Sequence, residues 1–304
     1  MVLRSLLLFL SRRQHLRRWM ETSPTAALLT KRFVAGQTLD EGLGVCRRLN
    51  SEGILVTLDH LGENVTSEEA ALAAAATYLE SVHRIAEHKL DASISIKLTQ
   101  FGLDLSEDFC RENVERLVSV ATGLGGFVEI DMESHEYTDR TLRIVTAMHE
   151  RYRRVRGVIQ AYLYRSVSDV QMLNEKGVPV RLCKGAYKEP PSVAYAGKRE
   201  VDMSYGHLMK ELLDHGSYPA LATHDETLVN EALRFVRERD IAPDRFEFQM
   251  LYGIRRDLQR HIVTSGYRLR LYVPYGDAWY PYFMRRLAER PANVLFLVRN
   301  LFRR

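Results

Sequence analysis

The chain has 304 residues, of which 46% are hydrophobic and 27% charged, as is usual for a folded globular protein with a large core. Its three cysteines, Cys46, Cys110 and Cys183, form no closely spaced pair. This argues against a disulfide framework or a cysteine-rich zinc site and favours a reducing, intracellular setting. Residues 1–32 carry a net charge of +6, whereas the whole chain carries +4, so residues 33–304 carry −2. This excludes a basic nucleic-acid-binding body and predicts no nucleic-acid partner.

Residues 1–50 precede the first predicted strand and are expected to form a helical arm outside the main domain. The apolar run at 6–10 is too short to span a bilayer, which needs about 20 residues. A basic, amphipathic arm has two interpretations. It packs on its own domain or on a second subunit, forming a homo-oligomer, or it attaches peripherally to an anionic membrane. The stretch 293–304 has the same character, and residues 297–304 are assigned to a basic tail.

The central part of the chain alternates short apolar runs with segments of helical periodicity, such as 67–88 and 226–237. Such alternation implies parallel strands joined by crossover helices. Eight units predict an α/β fold, a (βα)8 barrel spanning 51–296. The alternative, an open doubly wound sheet, usually shows a Gly-rich turn after its first strand, and 61–65 has none. The predicted strands are 53–60, 92–98, 127–131, 157–163, 178–184, 218–224, 246–251 and 267–273.

Polar side chains stand at the end of all eight predicted strands. Because active sites of (βα)8 barrels form at the carboxyl ends of the strands, we expect these side chains to meet there. The set is rich in cations, which suits an anionic ligand. It has no metal-ligand spacing and no nucleophilic serine elbow, so a metal-dependent or serine hydrolase is disfavoured. The residues are Asp59, Lys97, Asp131, Glu133, Gln160, Arg181, Lys184, Thr223, His224, Gln249 and Tyr272.

A predicted helix at 279–290 places Arg285, Arg286 and Glu289 on or near one face. One interpretation is a solvated helix with an ordinary ion pair between side chains four residues apart. The other is a paired guanidinium clamp for a carboxylate, in which Glu289 holds one arginine. Spacing alone leaves both interpretations open.

Several motifs together resemble the proline dehydrogenase family. The segments YFMRRLAERPAN at 282–293 and RLCKGAY at 181–187 are the most specific. ISIKL at 94–98 and YVPYG at 272–276 occur in the expected order. The matching motifs also include Asp131, Gln160–Ala161, Thr223–His224 and Phe248–Gln249. The resemblance covers roughly residues 50–296, and the N-terminal arm is similar to that of short, monofunctional bacterial members.

This resemblance implies a distorted (βα)8 barrel that uses FAD to oxidise L-proline to Δ1-pyrroline-5-carboxylate. It also implies that electrons leave the reduced flavin for a quinone. With the basic arm, this leads us to expect a cytoplasmic protein held peripherally on the cytoplasmic face of the membrane.

The resemblance also implies roles for individual residues. Asp131 and Arg181 would be catalytic, Asp131 by organising the arginines and Arg181 by lying near the isoalloxazine. The proline carboxylate and ring would contact Lys97, Leu182, Tyr187, Tyr272, Arg285 and Arg286. The remainder of the cofactor would contact Met132, Gln160, Lys184, Gly185, Ala186, Thr223, His224, Gln249 and Glu289.

Two other functions stay open at this point. A barrel with a strand-end lysine is compatible with a Schiff-base aldolase or lyase that uses Lys97 or Lys184 as the nucleophile. A non-catalytic barrel that binds anions at the membrane surface would use the same cations without turnover.

Overall fold

The computed structural model describes residues 30–280 and 282–283. Its eight strands are all parallel and close into a barrel in chain order, each pairing with the next and β8 pairing with β1. This confirms the predicted (βα)8 barrel and rules out the open sheet. The strands are β1 (Leu55–His60), β2 (Ala92–Ile96), β3 (Val128–Ile130), β4 (Val155–Gln160), β5 (Val180–Cys183), β6 (Ala220–Ala222), β7 (Glu247–Leu251) and β8 (Leu269–Tyr275).

Most strands are shorter than the apolar runs that predicted them. The sixth run, at 218–224, retains three paired residues, and the fourth is displaced toward the N-terminus, because β4 pairs from Val155 onward. Residues 161–163, predicted as strand, instead leave the sheet at the carboxyl end of β4.

Each strand through β7 is followed by a helix on the outside of the barrel. Ser67, Ser106 and Asp225 cap three of these helices by accepting hydrogen bonds from first-turn backbone N–H groups. The helices are α1 (Leu39–Ser51), α2 (Glu68–Glu87), α3 (Glu107–Gly123), α4 (Thr138–Tyr152), α5 (Ser166–Glu175), α6 (Lys198–His215), α7 (Glu226–Glu238) and α8 (Arg256–Thr264). Short 3₁₀ turns span Leu98–Phe101 and His135–Tyr137.

Helix α1 precedes β1 and packs against β1 and β8. The chain before it is joined to the end of β8, since Ala35 N–H donates to Pro274 O (2.9 Å) and Gly276 N–H donates to Gly36 O (3.0 Å). Of the predicted helical arm, residues 39–50 are helical, but residues 31–38 form turns and irregular chain, contrary to the prediction. Residues 1–29 and 284–304 lie outside the described residues, and the boundaries at 50 and 296 stay predictions.

The two faces of the barrel strands differ in chemistry. Side chains alternate along a strand, and the outward ones, such as Val56, Leu58 and Ile94, are buried in the apolar layer beneath the helices. The inward ones are largely polar or charged, Thr57, Ser93 and Glu129 among them, and they hydrogen-bond to one another. The barrel interior is thus a polar core inside an apolar shell.

Candidate active site

Five of the predicted strand-end side chains meet inside the carboxyl end of the barrel. They come from strands distant in sequence and are brought together by the closure of the sheet. We call this set the upper layer: Asp59, Lys97, Asp131, Arg181 and Tyr272.

Asp131 is the centre of the upper layer. One of its oxygens accepts from a guanidinium nitrogen of Arg181 and from the Ser95 hydroxyl (2.8 Å). The other accepts from the Tyr272 hydroxyl (2.8 Å) and from Lys97 Nζ (3.3 Å). Both oxygens are engaged, so Asp131 fixes the relative positions of two cations and a phenol.

The opposite charges of the upper layer stabilise one another in their ionised forms. Burial opposes the charge of Arg181, but Asp131 and Glu129 outweigh it and raise its pKa above the ordinary value. Burial likewise acts against Asp131, but Arg181 and Lys97 hold its pKa below the ordinary range. The layer therefore keeps an ionised carboxylate and a permanent cation at neutral pH.

Lys97 and Asp59 form the less tightly bound side of the layer. Lys97 Nζ lies 3.4 Å from Asp59 Oδ1. Burial disfavours the ammonium, yet Asp59 and Asp131 raise the pKa of Lys97 well above its ordinary value. Burial raises the pKa of Asp59, only partly offset by Lys97. A Schiff-base nucleophile must be a neutral amine, and these carboxylates keep Lys97 protonated, which disfavours the aldolase interpretation for this lysine.

Beneath the upper layer, toward the amino ends of the strands, lies a second buried cluster that the sequence analysis did not identify. Arg156 Nη1 lies 2.7 Å from Glu247 Oε1 and 3.4 Å from Glu129 Oε2, and Arg270 Nε lies 2.8 Å from Glu247 Oε1. We call Glu129, Arg156, Glu247 and Arg270 the lower layer. Its signal in the sequence was the charged residues within or next to the apolar strand runs.

Arg181 connects the two layers. Its Nη1 lies 3.3 Å from Glu129 Oε2, and the same nitrogen donates to Gln249 Oε1 (3.3 Å). Gln249 in turn donates to Glu129 Oε2 (3.1 Å) and Glu247 Oε1 (2.8 Å). Gln249, predicted to hold the cofactor, therefore lies beside Arg181 and is hydrogen-bonded to the lower layer.

Predicted cofactor residues on β4 and its neighbours form a second group at the barrel mouth. Gln160 donates to the backbone oxygen of Glu133 (2.8 Å) and its Oε1 faces the N–H of Ala186 at 3.4 Å. Met132 is buried in the apolar core. Gly185 has φ +118°, and a Cβ there would stand 2.4 Å from the Tyr162 ring, so only glycine fits this turn.

Lys184 is ion-paired rather than open to solvent. Its ammonium contacts Asp202 of α6 and lies 2.9 Å from Asp225 Oδ2 at the start of α7. These pairings again disfavour a Schiff-base role. The adjacent Thr223 Oγ1 accepts from the N–H of Asp225 (3.1 Å), and His224 Nε2 accepts from the N–H of Leu251 (2.9 Å).

The predicted wall residues fall in different places. Tyr187 is 38% exposed at the mouth, and burial of its ring with the charge of Glu133 raises the pKa of its hydroxyl. Leu182 follows Arg181 in β5 and therefore points out of the barrel, into the apolar shell, where it is fully buried. Leu251, two residues after Gln249 in β7, lies on the inward face at the carboxyl end of the barrel and was not among the residues predicted from the sequence. Arg285, Arg286 and Glu289 lie outside the described residues.

Among residues 30–280 and 282–283, no three or more His, Cys, Asp or Glu side chains are grouped as a metal site would require. Within the same part of the chain, no helix combines the length and apolarity needed to cross a membrane.

Comparison with known proteins gives consistent matches. A family model described as proline dehydrogenase matches residues 43–299. The chain is 41% identical to proline dehydrogenase 1 of Bacillus subtilis subsp. natto over the whole of both chains. It is 39% identical to the proline dehydrogenase of Deinococcus radiodurans over 90% of each. The solved proline utilization A of Bdellovibrio bacteriovorus superposes with a TM-score of 0.80 at 28% identity, covering 87% of this chain and 33% of that one.

Proposed function

Because the chain belongs to the proline dehydrogenase family, we propose that the upper layer is the site at which it oxidises L-proline to Δ1-pyrroline-5-carboxylate with FAD as cofactor. The observation that carries this proposal is the convergence of Lys97, Asp131, Arg181 and Tyr272 at the carboxyl end of the barrel. Three side chains from three different strand ends, held by the carboxylate of Asp131, form a polar floor for a small anionic substrate.

Proline is a carboxylate attached to an apolar ring, and the site offers matching groups. Lys97 remains protonated, and its ammonium makes only long contacts of 3.3–3.4 Å with Asp59, Asp131 and Tyr272. We propose that the substrate carboxylate replaces one of these contacts. Arg285 and Arg286 are proposed to complete the anion site from the last predicted helix. Tyr187, Tyr272 and Leu251 are proposed to enclose the ring, which excludes water from the carbon that loses hydrogen.

The residues of the site orient the reaction rather than perform acid–base chemistry. Oxidation removes a hydride from the ring carbon beside nitrogen and a proton from the nitrogen, leaving a C=N bond. FAD, when bound, supplies the hydride acceptor. Arg181 presents a fixed positive charge at the floor, and Asp131 holds that charge in place. Asp131 is itself already ionised and fully hydrogen-bonded, so its part is to organise the cations.

The residues at the mouth fit a flavin cofactor. Gly185 lets the backbone turn closely against the Tyr162 ring, and Gln160 holds the neighbouring N–H of Ala186. An ammonium has three N–H donors, and the two aspartates beside Lys184 leave one for a phosphate or hydroxyl oxygen. We propose that Met132, Gln160, Lys184, Gly185, Ala186, Thr223, His224, Gln249 and Glu289 hold FAD.

We further propose that a quinone accepts the electrons, and that the basic N-terminal segment holds the protein on the cytoplasmic face of the membrane. The sequence charge of residues 1–32 supports this proposal. Deleting residues 1–29 should lower binding to vesicles that contain anionic lipid while leaving turnover with a water-soluble quinone analogue unchanged. Equal vesicle binding by the shortened protein would contradict the attachment.

The proposed activity is tested by incubating the purified protein with L-proline and a quinone analogue and measuring the product by mass spectrometry. We expect a product about two mass units lighter than proline, formed in step with acceptor reduction. Arg286→Ala should lower kcat/KM about 100-fold, since each charged hydrogen bond to a carboxylate contributes roughly 1.5–3 kcal/mol. Absence of an oxidised product, with FAD supplied, would contradict the proposal.

A further inference from the structure

The segment between β5 and α6 carries Gly185, Ala186 and Tyr187, and a buried carboxylate in the same segment holds it in place. Glu189 lies two residues beyond Tyr187, and its side chain is only 3% exposed. It faces inward, toward the ends of β3 and β4, although it belongs to a loop. A buried carboxylate is costly unless it is fully hydrogen-bonded, so its partners show what it holds together.

Glu189 joins three loops. One oxygen accepts from the backbone N–H of His135 (2.9 Å) and from the Tyr162 hydroxyl (3.2 Å), and the other meets His135 Nδ1. His135 follows the β3 end that supplies Asp131, and Tyr162 follows the β4 end that supplies Gln160. One side chain thus fixes the β5 loop against two others that carry site residues.

Tyr162 connects Glu189 to the backbone at Lys184 and Gly185. Its hydroxyl donates to Glu189 Oε1 (3.2 Å), two residues beyond Tyr187. Its ring fills the space beside Gly185, and its own N–H donates to Lys184 O (3.0 Å). Burial, followed by the charge of Glu189, raises the pKa of this phenol, so it stays protonated and able to donate.

The second half of the same loop has its own anchors. Ala194 forms an antiparallel bridge with Leu163, and Tyr195 N–H donates to Tyr162 O (2.8 Å). Tyr164 stacks edge-on against Tyr195 and its hydroxyl donates to Pro191 O (2.8 Å). Loss of Glu189 should therefore release residues 185–189 and leave 191–195 in place.

We infer that Glu189 is a positioning residue that holds Tyr187 against the bound substrate by way of Tyr162 and His135. This inference rests on the proposed function, because it takes Tyr187 to be a wall of the proline site. The wall is a partly exposed ring on a loop, and it can restrict a small ligand only if its backbone is fixed. Glu189 fixes that backbone without touching the substrate itself.

The first test is hydrogen exchange on the purified protein, which needs no turnover. In Glu189→Ala, amides of 185–189 and of His135 should exchange at least tenfold faster than in the wild type, while amides of 193–195 stay protected. Tyr164→Phe, which removes a hydroxyl from the other half of the loop, is the matched control and should leave 185–189 unchanged. Unchanged exchange at 185–189 in Glu189→Ala would overturn the inference.

The second test is a double-mutant cycle on substrate affinity. Glu189→Ala should raise KM for L-proline about tenfold, the loss expected for one charge-assisted interaction, and change kcat less than threefold. Tyr164→Phe should stay within twofold. If Glu189 acts through Tyr187, then adding Glu189→Ala to Tyr187→Ala should raise KM by less than twofold more. Fully additive effects would overturn the inference.

Binding of cyclopentanecarboxylate separates this inference from the proposed function. The compound keeps the ring and the carboxylate of proline but has no amine to oxidise. If the wild type does not oxidise proline, the proposed function fails, and the exchange experiment still decides whether Glu189 holds the loop. If the wild type is active, Glu189→Ala should weaken binding of the compound about as much as it raises KM for proline. Unchanged binding would count against the inference alone.

Discussion

The upper and lower layers of the barrel interior are both clusters of charged side chains, yet they differ in how far those side chains are exposed to solvent. In the lower layer Glu129, Arg156 and Glu247 are at most 1% exposed, and Arg270 is 13% exposed. In the upper layer Lys97 is 17% exposed and Asp131 14%. Lower-layer contacts include two of 2.7–2.8 Å, whereas Lys97 contacts its partners at 3.3–3.4 Å.

We infer from this contrast that the lower layer mainly stabilises the fold and the upper layer mainly serves the chemistry. Charged side chains that are buried and paired with one another do not contact a ligand. Removing one of them leaves its partner as an unpaired buried charge, which destabilises the fold. An open network contributes less to folding and keeps donors available for a substrate. Arg181 contacts both Glu129 and Asp131 and so joins the lower layer to the upper one.

The largest expected effect is on stability, from the lower layer. Glu247→Gln keeps the side-chain shape but removes the charge shared by Arg156 and Arg270. The free energy of unfolding should fall by about 3–5 kcal/mol, while kcat/KM of the folded enzyme stays within threefold. Urea unfolding measures the first and steady-state kinetics the second. Glu150→Gln, in an exposed pair with Lys176, is the control and should leave the unfolding free energy unchanged within error.

The next largest effect is on catalysis, from the upper layer. Lys97→Met should lower kcat/KM for L-proline about 100-fold, or roughly 3 kcal/mol, because a carboxylate partner is lost. The unfolding free energy should change by only about 1 kcal/mol, since Asp59 already has a raised pKa and can take up a proton once the ammonium is gone. A variant that is destabilised as much as Glu247→Gln but still active would break the distinction between the layers.

Lowering the pH should reduce the free energy of unfolding through the lower layer. Burial disfavours the charge of Glu247, but Arg156 and Arg270 hold its pKa well below the ordinary 4.5. A depressed folded-state pKa contributes stability that is present above 4.5 and is lost as pH falls through the folded value. The wild type should therefore lose about 2 kcal/mol more than Glu247→Gln between pH 7 and pH 3. Parallel stability curves for the two proteins would show that Glu247 is not responsible.

The smallest expected effect comes from one hydroxyl. Tyr272→Phe removes the hydrogen bond to Asp131 (2.8 Å) but keeps the ring that lies 5.3 Å from the Arg181 guanidinium. We expect kcat/KM to fall about tenfold, with a stability loss near 1 kcal/mol. The change should appear in kinetics with L-proline at constant flavin content. A fall beyond 100-fold would mean that the hydroxyl takes part in the chemistry itself.

Much of this fold could be predicted from the sequence because eight short apolar runs alternate with helical periodicity. The polar residue at each strand end was also predictable, and closure of the barrel does bring Lys97, Asp131, Arg181 and Tyr272 together. What pattern analysis did not supply was the face of each strand. Leu182 is adjacent to Arg181, so the two cannot both point inward, and this alternation was available in the sequence.

The lower layer and the Glu189 contacts were harder to predict for a different reason. A lone charge within a strand indicates an inward position only once its opposite partner is known, and Glu129 and Glu247 are far apart in sequence. Glu189 lies in a loop without periodicity, and its partners His135 and Tyr162 come from two other loops. Lys184 was correctly placed at a strand end, but its pairing with Asp202 and Asp225 depends on how two helices pack.

The visible spectrum of the purified protein, recorded without oxygen before and after adding L-proline, tests the claim that the upper layer oxidises proline. We expect a flavin band at about 450 nm that bleaches with L-proline in the wild type and far more slowly in Lys97→Met. A protein that stays colourless after reconstitution with FAD, or a flavin band that L-proline leaves unchanged, would contradict the claim.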